Sequence, residues 1–147
     1  MQSTIYIIPG KSIGEFNLSM SSKEIIQLLN DLILTFKISP SAIGQFIIAD
    51  IYSFWIQNGK INQISVSKDP NARILGLCGI GDTLGTCERL LKTKFEYESY
   101  ITTSVDIKGL GMDIEDYPEE INRIIDIDAF DVRTLKVESI YIFPIDE

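Results

Sequence analysis

The densest group of reactive side chains in this sequence is a run of carboxylates between residues 113 and 131. Grouped carboxylates coordinate a divalent cation, act as an acid and base pair, or attract a cationic partner. The eight members are Asp113, Glu115, Asp116, Glu119, Glu120, Asp126, Asp128 and Asp131. Their spacing and their neighbours decide among these three uses.

Three of these residues, Asp126, Asp128 and Asp131, have the short spacing of calcium ligands. The stretch lacks the sixth-position glycine and the terminal glutamate of an EF-hand loop, and the apolar residues between the carboxylates indicate packing. Acidic residues are too abundant for any one pair to stand out as a catalytic acid and base. The sequence therefore predicts no catalysis, no metal site and no cofactor.

The sequence contains no histidine, which excludes a Ser-His-Asp or Cys-His relay and histidine metal ligands. Its two cysteines, Cys78 and Cys87, are too few for a four-thiolate zinc site, and their spacing is not that of a CxxC redox motif. We expect both to be reduced and partly buried.

Two further motifs each have a functional and a structural interpretation. Gly76, Gly79 and Gly81 precede a helix and could cradle a phosphate, but Asp82 would repel an anion, so a turn followed by the N-cap Thr83 is favoured. Trp55 is either an interface anchor or a core residue on a half-buried strand, and the core position is favoured.

All of the net charge falls in the last quarter of the sequence. Residues 1–112 hold ten acids and ten bases, whereas residues 113–147 hold eleven acids and three bases, giving −8 for the whole. Isoleucines and aromatic residues alternate with these acids, so the stretch is too apolar for a disordered tail. It predicts a folded acidic face that binds a basic protein, not nucleic acid.

The amino-terminal residues lack the basic and long apolar regions of a signal peptide, and no apolar run reaches the length of a membrane span. These features predict a soluble cytoplasmic protein without a membrane partner. The oligomeric state is left open.

The local patterns predict alternating strands and helices. Residues 4–8 form a strand, Ser21 and Glu24 form a capping box, and Ser39-Pro40 ends the helix that follows. Asn58-Gly59 closes a hairpin between residues 45–56 and 61–66. A second helix covers about 83–93. Strands follow at 95–105, 112–115 and 137–143, with a turn at 109–111 and a helical turn at 118–125.

The second half of the sequence repeats the first at an offset of 62 residues. Five sets of positions match: Ile13-Gly14 with Leu75-Gly76, Leu18 with Ile80, Ser21 with Thr83, Ile25 with Cys87, and Leu28-Leu29 with Leu90-Leu91. Each half supplies a glycine turn, a hydroxyl N-cap and a helix with one apolar stripe. The period indicates a tandem helix-plus-hairpin repeat, with units near 8–67 and 70–143.

Residues 8–21 (IPGKSIGEFNLSMS), 59–66 (GKINQISV) and 80–83 (IGDT) resemble small bacterial proteins, several of which are immunity proteins of polymorphic toxin systems, including contact-dependent growth inhibition. The repeated layout is also similar to the tandem units of beta-lactamase inhibitory proteins. No functional residues transfer from either group, since immunity interfaces diverge with each toxin.

We therefore predict one α+β domain, residues 1–147, in which an antiparallel sheet carries two helices on one face. The predicted function is that of an immunity protein, which neutralises a cationic toxin, possibly a nuclease, through its acidic surface. The alternative is a small cytoplasmic ligand-binding or metal-binding domain, or an enzyme, that uses its carboxylates.

Overall fold

The protein is described by a computed structural model that covers residues 3–98, 101–115 and 132–145. These residues form an α+β fold, as predicted. The helices are α1 (Ser22–Asp31) and α2 (Leu84–Leu91), with a 3₁₀ turn at Val132–Thr134. The strands are β1 (Ile5–Ile8), β2 (Ser12–Ile13), β3 (Phe16–Asn17), β4 (Lys37–Pro40), β5 (Gln45–Ala49), β6 (Tyr52–Gln57), β7 (Lys60–Ser67), β8 (Ala72–Ile74), β9 (Cys78–Gly79), β10 (Phe95–Glu98), β11 (Ile101–Ser104), β12 (Leu110–Ile114) and β13 (Val137–Ile142).

The strands form two sheets, not the single antiparallel sheet that the sequence predicts. The larger is antiparallel throughout, in the order β10-β11-β12-β13-β7-β6-β5-β4. The smaller has the order β3-β2-β1-β8-β9, and its β1 and β8 run parallel, with Ile7 opposite Ile74. A parallel pair needs a long crossover, which is provided by the chain between these strands.

The order of elements recurs along the chain, and each unit is larger than the helix plus hairpin that the sequence predicts. The first unit is α1 followed by the four-stranded meander β4–β7, and the second is α2 followed by β10–β13. The two meanders join where β7 pairs with β13, with Val66 opposite Ile140. The N-caps are also equivalent, since Ser21 forms a bridge with Lys60 and Thr83 with Lys136.

Both helices begin where the caps predict. The Ser21 Oγ accepts a hydrogen bond from the Glu24 N–H at 3.2 Å, and the Glu24 carboxylate accepts one from the Ser21 N–H at 3.1 Å. At α2, the Thr83 Oγ1 accepts from the Thr86 N–H at 3.2 Å. These bonds satisfy N–H groups that have no partner inside the helix.

Replacing Ser21 with alanine is expected to lower the free energy of unfolding by about 1 kcal/mol, because the Glu24 N–H loses its acceptor. Denaturant unfolding measures this loss. Ser22→Ala, one residue into the helix, is the matched control and should change stability by less than about 0.5 kcal/mol. Equal midpoints for the Ser21 variant and the wild type would contradict the assigned capping box.

The end of α1 differs from its prediction. The helix stops at Asp31 because Ile33 adopts a left-handed φ of 59°, and the Leu34 N–H turns back to the Leu29 carbonyl. A β-branched residue rarely adopts this conformation, which usually requires glycine. The residues predicted to end the helix, Ser39 and Pro40, instead belong to β4.

Several predicted strands are divided or shifted. The Asn58-Gly59 hairpin is confirmed, and both residues have positive φ. Residues 45–56 split into β5 and β6 at Asp50, which also has positive φ, and residues 95–105 split into β10 and β11. Gly109 is a turn residue, but Leu110 and Gly111 belong to β12. The helical turn predicted at 118–125 lies outside the described residues.

One hydrophobic core lies between the larger sheet, the smaller sheet and the helices. It contains Ile25 from α1, Leu84 from α2, and alternate residues of the larger sheet such as Phe54. The rings of Phe16 and Phe54 meet edge to face, with centroids 4.9 Å apart. Within the described part of the chain, no helix is long and apolar enough to cross a membrane.

Both cysteines lie inside this core. Cys78 and Cys87 are free thiols with no exposed surface, so they are more deeply buried than predicted. A hydrogen bond to Cys78, together with burial, raises the pKa of the Cys87 thiol. Cys87 packs where Ile25 packs in the first unit, which agrees with the predicted packing role.

Candidate functional site

Two of the eight predicted partner-binding carboxylates lie within the described residues. Asp113 is exposed on β12 and accepts a 2.8 Å hydrogen bond from the Ser139 hydroxyl. Glu115 follows β12, and its carboxylate accepts a hydrogen bond from the Lys136 N–H at 2.9 Å. The other six, Asp116, Glu119, Glu120, Asp126, Asp128 and Asp131, lie outside the described residues.

Asp113 and Glu115 line one cleft of about 580 Å³ at the ends of β7, β12 and β13. Lys68 and Lys136 line the same cleft, so its carboxylates are partly balanced by cations. The described residues hold thirteen acids and twelve bases, which leaves most of the net charge of −8 to the rest of the chain. The described acids therefore do not form an acidic face by themselves.

A second surface is formed by the side of the larger sheet that points away from the helices, which we call the open face. Residues alternate between the two sides of a strand, so on β6 the buried Phe54 and Ile56 face the core while Ser53 and Trp55 face outward. Cross-strand register extends this surface over the five strands β5, β6, β7, β13 and β12. Its described members include Phe46, Ile48, Ser53, Trp55, Ser65, Ser67, Gly111, Asp113, Ser139 and Tyr141.

Trp55 forms an aromatic pair on the open face. Its ring and that of Phe46, directly across on β5, have centroids 4.3 Å apart. A Cβ at Gly44 would lie 2.3 Å from the Ile56 carbonyl oxygen and 3.0 Å from the Trp55 ring, so the absence of a side chain there lets the hairpin approach β6 and the indole. Phe46 is 44% exposed and Ile48 is 52% exposed. The prediction that Trp55 packs on the core is therefore wrong, because the strand alternation gives that position to Phe54.

Tyr141 covers the middle of the same face. A Cβ at Gly111 would lie 2.2 Å from the Tyr141 ring, so the ring lies flat over the glycine backbone of the neighbouring strand. Half-burial, and then the nearby Asp113 carboxylate, raise the pKa of the Tyr141 phenol to about 12. The phenol therefore keeps its proton and remains a hydrogen-bond donor up to strongly alkaline pH.

Serine side chains, each with a hydroxyl group, occupy the positions between the two aromatic groups of the open face. Ser53 and Ser65 share a hydrogen bond across β6 and β7, and Ser139 donates to Asp113 across β13 and β12. The centre of the open face thus combines aromatic rings with neutral hydroxyls and has a carboxylate at one end. The aromatic rings and the absence of charge at this centre are typical of the central part of a protein interface, whereas its serines are not.

The raised pKa of Tyr141 predicts a loss of stability at alkaline pH. The unfolded phenol ionises near pH 10, whereas the folded phenol keeps its proton to about 12, so the stabilisation is complete below pH 10 and is lost between pH 10 and 12. Ultraviolet titration should show a tyrosine transition near pH 12 that is missing in Tyr141→Phe. Asp113→Asn should remove only part of the shift, since burial is its larger cause. A transition unchanged in Tyr141→Phe would contradict the assignment.

The glycine-rich turn before α2 has a structural role. The Asp82 carboxylate accepts a hydrogen bond from the Gly79 N–H at 2.9 Å and pairs with Arg73 at 3.0 Å, while Thr83 caps the helix. These contacts support the turn over the phosphate cradle. Among residues 3–98, 101–115 and 132–145, no group of three or more acidic or cysteine side chains is placed to hold a metal ion.

The fold is similar to that of one solved structure. No protein-family model and no curated protein matches this chain. The crystal structure of the uncharacterized protein yfeY from Escherichia coli superposes with a TM-score of 0.59, covering 96% of this chain and 99% of that one. The two sequences are 15% identical, so the likeness concerns the fold alone.

Sequence reasoning identified Trp55 as a possible anchor but did not find the rest of the open face. The available signal is the alternation of small polar residues with buried apolar ones along β6, β7 and β13. Alternation predicts one outward side for each strand. It does not predict that these three strands are neighbours, because β7 and β13 come from different units.

Proposed function

We propose that this protein is an immunity protein that binds a basic bacterial toxin and blocks it, and that it acts in the cytoplasm. The observation that carries the proposal is the open face, with Trp55 and Phe46 in contact and Tyr141 beside a group of serines. Aromatic residues at the centre of an interface commonly supply most of its binding energy. Neutral hydroxyls around them lose less hydration free energy on burial than charges would.

The charge distribution supports a cationic partner. The segment that carries the excess of acids begins at Asp113, which lies at one end of the open face. A basic toxin would be drawn by long-range attraction toward that end and then held by the aromatic centre. A nuclease has the required positive surface, because it must bind phosphate. Covering that surface excludes the substrate without any chemistry by the immunity protein.

The proposed function is tested by asking whether this protein protects growing cells from a toxin. The toxin to use is the product of the gene next to the one that encodes this chain. The first measurement is survival of cells that express the toxin with and without this protein, and the second is binding between the two purified proteins. Protection with direct binding is the expected result. A chain that neither binds this toxin nor protects the cells would refute the proposal.

Association kinetics test the acidic stretch separately. We expect Glu119→Lys with Glu120→Lys to slow association with the toxin and to flatten its dependence on ionic strength, because steering depends on that local charge. Glu15→Lys with Asp31→Lys changes the net charge equally, far from the stretch along the chain, and is the matched control. Circular dichroism confirms folding. Equal association rates for both double variants would place the steering charge elsewhere.

A further inference from the structure

The two cysteines of this chain are in contact with each other in the core. The sequence has two cysteines among its 147 residues, and both are free and wholly buried. Cys78 lies on β9, an edge strand of the smaller sheet, and Cys87 lies in the middle of α2. The Cys87 thiol donates a hydrogen bond to the Cys78 sulfur, so the fold brings the two sulfurs together from different elements.

The first unit fills the same two positions with apolar side chains. At the 62-residue offset, Cys78 corresponds to Phe16 on β3, the other edge strand of the smaller sheet. Cys87 corresponds to Ile25 in α1. Phe16 and Ile25 are both buried in the core, so apolar groups satisfy the packing at these positions. The second unit has a contacting pair of thiols there instead, and thiols can form a covalent bond with each other.

The hydrogen bond makes the two thiols chemically unequal. By donating to Cys78, the Cys87 S–H lowers the pKa of the Cys78 thiol, and Arg73 adds to this effect against the opposing effects of burial and Asp82. The same hydrogen bond, together with burial, raises the pKa of the Cys87 thiol. Because the thiolate is the nucleophilic form of cysteine, Cys78 is the sulfur that reacts first with an oxidant.

β9 belongs to a short segment, residues 75–82, which we call the β9 segment. Among the described strands, β9 pairs with β8 alone and has two residues. The Asp82 carboxylate closes the segment by accepting from the Gly79 N–H at 2.9 Å and by pairing with Arg73 at 3.0 Å, and both charged side chains are partly exposed. A short segment held by such contacts opens locally without global unfolding, and this opening gives a small oxidant access to Cys78.

We propose that Cys78 and Cys87 are a reversible redox pair, in which hydrogen peroxide converts the two thiols into a disulfide inside the folded protein. The Cys78 thiolate attacks one peroxide oxygen, so that an S–O bond forms and the O–O bond breaks, and the other oxygen leaves as water with the proton that Cys78 had lost. The Cys87 sulfur then loses its proton and attacks the Cys78 sulfur. The S–S bond forms, the S–O bond breaks, and the oxygen leaves with that proton as a second water. The two sulfurs together lose two electrons, which the peroxide gains.

The disulfide encloses the connection between the smaller sheet and the start of β13. Inside the loop that it closes, the Gly81 N–H donates to the Val137 carbonyl at 2.9 Å, and the Leu84 N–H donates to the Leu135 carbonyl at 2.9 Å. A covalent loop of this length should raise the folding equilibrium constant roughly a hundredfold. In a cytoplasm the resting state is the reduced pair, since disulfides there are transient. This inference does not depend on the proposed function.

Mass spectrometry of the full chain after treatment with hydrogen peroxide tests the proposal. One equivalent should yield a monomer that has lost two hydrogen atoms, with Cys78 and Cys87 joined in the peptide map, and dithiothreitol should restore the thiols. Denaturant unfolding should show the roughly hundredfold gain in the folding equilibrium constant of the oxidised chain. Cys87→Ala cannot form the bond, so it should keep an oxygen on Cys78, which dimedone traps.

The rate of oxidation tests the route. Asp82→Asn should raise this rate at least about tenfold, because the β9 segment loses a hydrogen bond to a charged group and Cys78 loses a neighbouring negative charge. Ser21→Ala is the matched control, since it destabilises the other helix, and it should change the rate less than about threefold. Circular dichroism should show that both variants are folded.

Three results would overturn the proposal. The first is a folded wild type whose thiols stay reduced in excess peroxide. The second is oxidation that joins two chains, or that stops at separate oxidised cysteines, in place of the bond within one chain. The third is an equal rate in Asp82→Asn and Ser21→Ala, because oxidation would then not proceed through local opening of the β9 segment.

Discussion

Replacing Phe54 with alanine is expected to lower the free energy of unfolding by about 3–5 kcal/mol. The Phe54 side chain is wholly buried and packs edge to face against Phe16, so its removal leaves a cavity between the two sheets. Small domains have only about 5–15 kcal/mol of stability in total. The variant should therefore be close to unfolding at ambient temperature, with a large shift of its denaturant midpoint.

The neighbouring Trp55 provides the control for this prediction. It lies one residue further along β6 and faces the opposite side of the sheet, where its side chain is only partly buried. Trp55→Ala removes a larger side chain, yet it should cost only about 1 kcal/mol because no closed cavity is formed. If Trp55→Ala destabilised the protein more than Phe54→Ala, the assignment of the two sides of the sheet would be wrong.

The second large effect is expected on binding. Trp55→Ala should weaken the complex with the basic toxin by about 2 kcal/mol or more, which is roughly a thirtyfold increase in the dissociation constant. The reason is that the indole, held against Phe46, offers a large rigid apolar surface at little further entropic cost. Calorimetry with the purified toxin measures the change.

Ser53→Ala is the matched control, because Ser53 lies two residues before Trp55 on β6 and faces the same side of the sheet. It should change the affinity less than threefold, or about 0.6 kcal/mol. Trp55→Phe should recover part of the lost affinity. A folded Trp55→Ala protein that binds the toxin with wild-type affinity would remove the open face from the interface.

Local signals in the sequence predicted much of the secondary structure. The caps at Ser21 and Thr83 located both helices, and Asn58-Gly59 located the hairpin between β6 and β7. In each case, residues within a few positions of one another determine the conformation. The 62-residue offset indicates a recurring order of elements for a similar reason, since the same cap and apolar stripe occur twice.

The errors have two physical causes. Non-glycine residues such as Ile33 and Asp50 adopt positive φ, so the end of α1 and the turn between β5 and β6 carry no glycine signal. The other cause is long-range pairing: the parallel contact of β1 with β8 and the join of β7 with β13 connect residues that are far apart in sequence. Because the open face depends on that join, its serines and Tyr141 could not be recognised as neighbours from sequence alone.

The join between β7 and β13 also affects how the chain folds as it is synthesised. Ser67 pairs with Ser139, about seventy residues later, and at translation rates of about 5–20 residues per second β13 follows β7 after roughly 4–14 seconds. During that interval the first unit has two open edges, β4 and β7, and the inward residues Ile61, Ile64 and Val66 border the second of them. The growing chain is therefore most prone to aggregation before β13 emerges from the ribosome, and it is then that a chaperone would have most effect.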